Sequence, residues 1–260
     1  MLEMRDVGVR VIEMKDRDRR SNLPTVLGRK VKVKTWPVRH LDFSMTPGET
    51  VFVLDLANDR PSLFLRLATG LLRPDEGTIE LPAHSVLVTP PNGRVLKSLS
   101  IGQSARLMAG LYGMPDHAIE RRFDEIVRLA GVGSRVNEGT DSVPRRMLQQ
   151  VAFAAATSAS ADLYAFDRMA LVGDREYHEQ CKQRLAELKA AGHGIVIYSQ
   201  NPAHVRELGD RGLVLDGART RTTDPDTLAK LLIDVKKGRL KKRRKKRRRR
   251  DAVLELLRVR

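Results

Sequence analysis

Residues 51–81 read VFVLDLANDRPSLFLRLATGLLRPDEGTIEL. "VFVLDL" is an apolar run of strand type, the spacing from about Pro61 to Leu72 is helical, and "RPDEGTIEL" turns into another strand. Strand, tight loop and helix in that order make the frame on which phosphate-binding loops are built. Yet the loop itself, "DLANDRPSL" at 55–63, contains no glycine and no lysine. Either the chemistry has moved to other side chains or the frame has outlived it.

The 260 residues suffice for one α/β core with appendages. Hydrophobic residues make up 41% but aromatics only 4%, so aliphatic side chains must dominate that core. A single cysteine, Cys181, excludes an internal disulfide and suits a reducing compartment. The start, "MLEMRDVGVRVIEMKDRDRR", is charged throughout and lacks the apolar core of a secretion signal. No apolar run approaches the roughly 18 residues that cross a bilayer. The expectation is a cytoplasmic protein, peripheral on the inner face of the cell membrane through a partner.

The formal charge of +16 is uneven. Residues 236–250, "KKGRLKKRRKKRRRR", hold 13 Lys and Arg and no acid, leaving 16 − 13 = +3 for the remainder. The basicity therefore reads as a tail, 236–260, disordered by self-repulsion, with an anionic membrane surface as its first candidate target and nucleic acid as its second.

Residues 1 to 55 look strand-rich: "KVKVKTW" alternates, and "LDFSM" and "TVFVLDL" flank a Pro-Gly turn. Residues 83 to 98 read as loop. Helical spacing runs from Ile101 to Leu129, broken at "YGMPD", and a further helix lies within "PRRMLQQVAFAAATSAS". Strands "DLYAFD", "HGIVIYS" and "RGLVLDG" then alternate with helices, which argues a mainly parallel sheet covered by helices. The folded part is expected to end near Val235.

Residues 161–220, "ADLYAFDRMALVGDREYHEQCKQRLAELKAAGHGIVIYSQNPAHVRELGDRGLVLDGART", resemble the ATP-binding subunit of an ABC transporter. Within that superfamily the chain is most similar to exporters of capsular polysaccharide, O-antigen or teichoic acid. The matching pieces are "AFDR", "LVGD", "EQCKQRL", "VIYSQ" and "DRGLVLDG", with "TPGETVFVL" and "FLRLATGLLRPDEGTI" upstream, so the likeness spans roughly 30 to 222. It implies an ABC-ATPase-like (P-loop NTPase) α/β fold over 1–235. Within it the resemblance places a mainly parallel sheet, an N-terminal antiparallel β subdomain and a helical subdomain at about 98–160. A permease subunit, and a homodimer or a heterodimer with another ABC ATPase subunit, are the partners it implies.

The site residues depart from the family pattern one by one. In the Walker A loop Asp55, Asn58 and Arg60 stand for glycines and Pro61 for the lysine, while Ser62 keeps the magnesium-ligand serine beside Leu63. Two aspartates facing phosphate would oppose it by about 4 kcal/mol for a close pair at an effective dielectric near 20. Asp167 matches the Walker B carboxylate that holds magnesium through water, and Arg168 takes the place of the catalytic glutamate. A guanidinium cannot accept the proton of an attacking water. Gln200 replaces the switch histidine. The signature segment falls on Val143, Pro144, Arg145, Arg146 and Met147, with two arginines where glycine amides would meet nucleotide on the opposite subunit. Trp36 falls near the adenine-stacking position. Gly173 and Asp174 keep the D-loop pattern; Gln103 lies near the Q-loop but in the wrong context.

Both halves of the composite site are altered while the apolar frame is intact, the pattern of a pseudoenzyme. No catalytic residue is expected and no cofactor. If ATP and magnesium are held at all, the candidates are Trp36, Asn58, Arg60, Ser62, Leu63, Arg145 and Arg146 for nucleotide and Ser62 and Asp167 for metal. The leading reading is an inactive scaffold or regulator under a permease. A weak or partner-dependent ATPase in which Arg60 and the Arg145–Arg146 pair replace the missing lysine and glycine amides, and a binding module working through its basic tail on anionic membrane or nucleic acid, are the alternatives.

Overall fold

The computed structural model describes residues 1–16, 30–56, 62–91, 98–168, 173–216 and 219–238, without the side chains of 13–16, 30–33, 62 and 219. Strands β1 (Leu2–Asp16), β2 (Lys30–Met45) and β4 (Glu76–Glu80) form an antiparallel sheet in the order β2–β1–β4. The larger sheet runs β5–β6–β7–β3–β8–β9, built from β3 (Thr50–Asp55), β5 (Ser85–Val88), β6 (Leu163–Asp167), β7 (Gly194–Tyr198), β8 (Arg211–Asp216) and β9 (Arg219–Thr223). Its pairings are parallel except β8 with β9. The helices are α1 (Ser62–Ala68), α2 (Ile101–Leu111), α3 (Asp116–Leu129), α4 (Arg145–Ser158), α5 (Arg175–Ala190), α6 (Pro202–Leu208) and α7 (Pro225–Lys236).

A strand buried on both faces must be apolar at every position, and β3 is. Val51 and Val53 join a cluster in which Phe64, Leu65 and Leu67 of α1 are clasped between the two sheets, with Phe43 of β2 edge-on to Phe64 at 5.2 Å. Phe52 and Leu54 face the other way, into the core formed with α2 to α7. There α4 is buried over its last two turns, and Phe153 stacks at a tilt on Phe166 of β6 at 5.6 Å. Its C-terminal carbonyls are met by two guanidinium groups: Arg122 of α3 donates to the Ser158 carbonyl and Arg184 of α5 to the Thr157 carbonyl, each at 2.6 Å. Cations there complement the helix dipole.

The antiparallel sheet is bent by a bulge. Asp6 and His40 sit at φ 50° and 52°, joined by His40 Nδ1 and Asp6 Oδ1 at 2.7 Å. Opposite them Gly77 has φ 78°, and a Cβ there would lie 2.3 Å from the Asp6 carbonyl oxygen. Only glycine closes that crossing.

The mixed, mostly parallel sheet, the antiparallel N-terminal sheet and the helical break between Leu111 and Asp116 agree with the sequence reading. Two local expectations are corrected. α1 ends at Ala68 rather than Leu72, because Thr69 Oγ1 donates back to the Leu65 carbonyl and Gly70 turns left-handed at φ 73°. The stretch 83–98, read as loop, contains β5, four residues long between prolines and paired in parallel with β6. Beyond the elements read from the sequence lie β9 and α7: Asp224 caps α7 by accepting from the Thr227 amide at 2.9 Å, and the helix runs to Lys236. Residues 239–260, the bulk of the basic tail, lie outside the described residues.

Candidate functional site at the carboxyl ends of the parallel strands

In an open parallel sheet, ligands bind beyond the carboxyl ends of the strands. The adjacent strands β6, β7 and β3 end there at Asp167, Tyr198 and Asp55, with Asp167 in register with Tyr198. Asp55, at the first glycine position, is buried, and the next amide, of Leu56, donates to the Leu215 carbonyl at 2.7 Å. Asn58, Arg60 and Pro61 lie outside the described residues, as does the Ser62 side chain. Leu63, named as a nucleotide contact, is half-buried and packs on the cluster around α1.

At the end of β6 the backbone turns sharply. Arg168 adopts φ 59°, a conformation that costs a non-glycine residue of order 1 kcal/mol, and its amide donates to the Tyr198 carbonyl at 2.9 Å. That turn brings Arg168 Nε to 3.8 Å from Asp167 Oδ1 and lays the guanidinium over the Tyr198 ring at 5.1 Å. Tyr198 in turn accepts a hydrogen bond on its hydroxyl from Gln200 Nε2 at 3.2 Å. Burial raises the Asp167 carboxyl above the ordinary aspartate range, although Arg168 and Arg66 of α1 both pull it down. Arg168 and Gln200, matched by resemblance to the catalytic-glutamate and switch-histidine positions, are thus joined in one chain of contacts, Asp167–Arg168–Tyr198–Gln200. Tyr198 and Arg66 were not singled out from the sequence, where they read as a strand residue and a helix residue.

Beyond Gln200, Ser199 Oγ lies 3.2 Å from His204 Nδ1, and Asn201 caps α6 by accepting from the Ala203 amide at 3.1 Å. Burial, and then the neighbouring His178 ring, hold the His204 pKa down. Trp36 stands in a second group. Its ring packs on Gly8, with the guanidinium of Arg39 at 4.7 Å and that of Arg10 at 5.8 Å, and Arg39 pairs with Glu76. Arg145 and Arg146, in neither group, open α4 as exposed residues behind Pro144, which supplies no side-chain cap. Asp174 caps α5 through the Tyr177 amide at 3.0 Å, and Gln103 closes the capping box of α2 with Ser100, which accounts for both residues without a ligand. Among the described residues no group of three or more His, Cys, Asp or Glu is arranged to hold a metal ion.

A separate groove of about 490 Å³ opens between β5 and α2. Leu71, Leu107 and Leu111 line it and are exposed, beside Pro90, Pro91 and Tyr112, whose hydroxyl burial pushes up to about 12. Among the described residues, no helix is long and apolar enough to cross a membrane.

No family model matches the chain. Its sequence is 26% identical over 177 residues to the teichoic acids export ATP-binding protein of Listeria innocua, an overlap of 68% of this chain and 52% of that one. It is 22% identical over 184 residues to the O-antigen export system ATP-binding protein of Klebsiella pneumoniae, covering 71% and 75% of the two chains. The chain thus spans about half the length of the teichoic acid relative. A solved ATP-binding subunit of an ABC transporter superposes with a TM-score of 0.67 at 20% identity, over 92% of this chain and 94% of that one. The chain is therefore a homologue of the ATP-binding proteins of teichoic acid and O-antigen export, and its fold is that of the ABC ATPases.

Proposed function

We propose that the chain is a non-hydrolysing, nucleotide-binding-domain-like subunit of an ABC exporter for a teichoic-acid- or O-antigen-like polymer, acting as scaffold or regulator beneath a permease on the inner face of the membrane. The observation that carries this reading is Arg168. A general base for an attacking water must offer a lone pair, and the group at this position is a permanent cation leaning on the Walker B carboxylate. Magnesium fits the corner poorly for the same reason. Its candidate ligand, Asp167, already has two guanidinium groups acting on it, and burial favours its protonated form. Nucleotide fits poorly as well: the ring of Trp36 is flanked by Arg10 and Arg39, and the loop at 55–63 has no glycine or lysine.

The apolar groove supports the permease half of the reading. Exposed leucines on both of its walls offer a seat to an apolar element of a partner, and such patches mark interaction sites. A second ABC-type subunit, identical or not, would complete the complex.

The test uses the complex itself. The full chain is expressed with a polysaccharide-exporter permease, extracted and assayed for phosphate release, alongside Leu107→Asp and Asp167→Ala. Leu107→Asp should release the permease. Whatever hydrolysis the complex shows should be unchanged by Asp167→Ala, and a rate abolished by that substitution would refute the reading.

A further inference from the structure

β1 and β2 are longer than their sheet requires. β4 pairs with β1 only from Glu3 opposite Glu80 to Gly8 opposite Glu76. Past Val9 opposite Val38, the two strands run on alone, as a two-stranded ribbon, to Asp16 opposite Lys30. At about 3.3 Å per residue that ribbon projects roughly 25 Å.

Its charge stands out. Residues 10–34 hold nine Lys and Arg against three acids, a net of +6, so that this stretch of sequence and the tail together leave 16 − 13 − 6 = −3 for the rest of the chain. Of that +6, strand positions 10–16 and 30–34 carry five Lys and Arg against two acids, a net of +3, so the basicity that the sequence reading gave to the tail is shared with the ribbon strands. In the register Lys34, Lys32 and Lys30 stand opposite Ile12, Met14 and Asp16, alternate positions that belong to one face of a ribbon. Ile12 is 57% exposed and Lys34 is exposed, whereas Val11, on the other face, packs against the core. An exposed cation, Lys34, paired in register with an exposed aliphatic residue, Ile12, with Lys32 and Lys30 at the next alternate positions of the same strand, suits a surface that is anionic outside and apolar beneath.

The base of the ribbon is anchored. Asp75 donates its amide to the Gly8 carbonyl at 2.8 Å and accepts the Arg10 amide on its carboxylate at 2.7 Å. Leu71, at the rim of the groove, lies four residues before Asp75, so ribbon and groove are fixed to one connecting segment.

We propose that the β1–β2 ribbon is a membrane-contact arm that binds anionic phospholipid headgroups through its lysine face and Ile12, beside a permease seated in the groove. Lipid is favoured over nucleic acid by the exposed aliphatic residue and by Trp36, whose faces are held by Arg10 and Arg39 rather than open for base stacking. The choice of lipid also rests on the exporter reading.

The experiment is co-sedimentation of the full chain with vesicles of phosphatidylcholine, with and without phosphatidylglycerol. Three variants are compared with wild type: the triple Lys30→Gln, Lys32→Gln, Lys34→Gln; Ile12→Ser; and a chain with the basic residues of 239–250 changed to Gln. Each surface lysine contributes about fivefold to binding an anionic bilayer, so the triple variant should lose roughly a hundredfold. Ile12→Ser should weaken most the binding that survives high salt, and phosphatidylcholine alone should bind little. Three results would overturn the inference: a triple variant that binds like wild type while the tail variant does not, equal binding to both vesicles, or a triple variant that loses duplex DNA or RNA binding but keeps lipid. Ribbon-dependent lipid binding by a chain that no permease retains would leave the inference standing and remove the exporter reading.

Discussion

At Asp167 burial outweighs the guanidinium groups of Arg168 and Arg66. Asp167 is largely buried, and desolvation raises its carboxyl despite two guanidinium groups. For an acid raised on folding, the associated stability is full below the unfolded value, about 4, and is lost as pH rises through the folded one. Asp167→Asn should therefore raise the melting temperature at pH 7 and leave it unchanged near pH 3. Thermal unfolding at the two pH values checks this, and an equal change at both would assign the effect to something other than ionisation. His204 has the opposite sign. Its pKa is lowered by burial and then by His178, with Lys182 in the same sense and Glu207 against. Its stability is present above about pH 6.5 and is lost as pH falls through the depressed value. His204→Gln should flatten the stability profile between pH 7 and 5, measured by denaturant unfolding.

At the scale of elements, the fold depends on a few closures. Gly77 must be left-handed within reach of two backbone oxygens, so Gly77→Ala should cost more than about 2 kcal/mol, read as a lower urea midpoint at unchanged slope. Phe153, fully buried against Phe166, should cost about 3–5 kcal/mol as Phe153→Ala. The capping box of α2 should cost about 1 kcal/mol as Ser100→Ala. Much of this was legible in the sequence. The aliphatic runs at 50–55, 163–167, 194–198 and 211–216 are strands because both their faces are buried. β5 escaped because four residues between prolines carry too little periodicity, and its partner β6 lies far along the chain. α7 had its signals, Asp224 then Pro225 ahead of an apolar stripe, and it ends where the basic run begins.

At the scale of the molecule, the candidate site shows where sequence reading stops. Motif order located Asp167, Arg168 and Gln200, but not the ring that connects them. Tyr198 belongs to β7, and nothing local marks it as the surface on which a guanidinium from β6 will lie. Trp36 was likewise singled out by position, while the two arginines near its ring come from different strands. An ABC-ATPase fold is preserved around a corner in which Asp167, Arg168, Tyr198 and Gln200 contact one another, and under the proposed function such a chain would keep docking surfaces without turnover.

The most direct measurement is a calorimetric titration of ATP with magnesium into the folded chain, with Asp167→Ala alongside. The account predicts no heat of binding up to millimolar ATP in either protein. Micromolar binding that is lost in Asp167→Ala would contradict it.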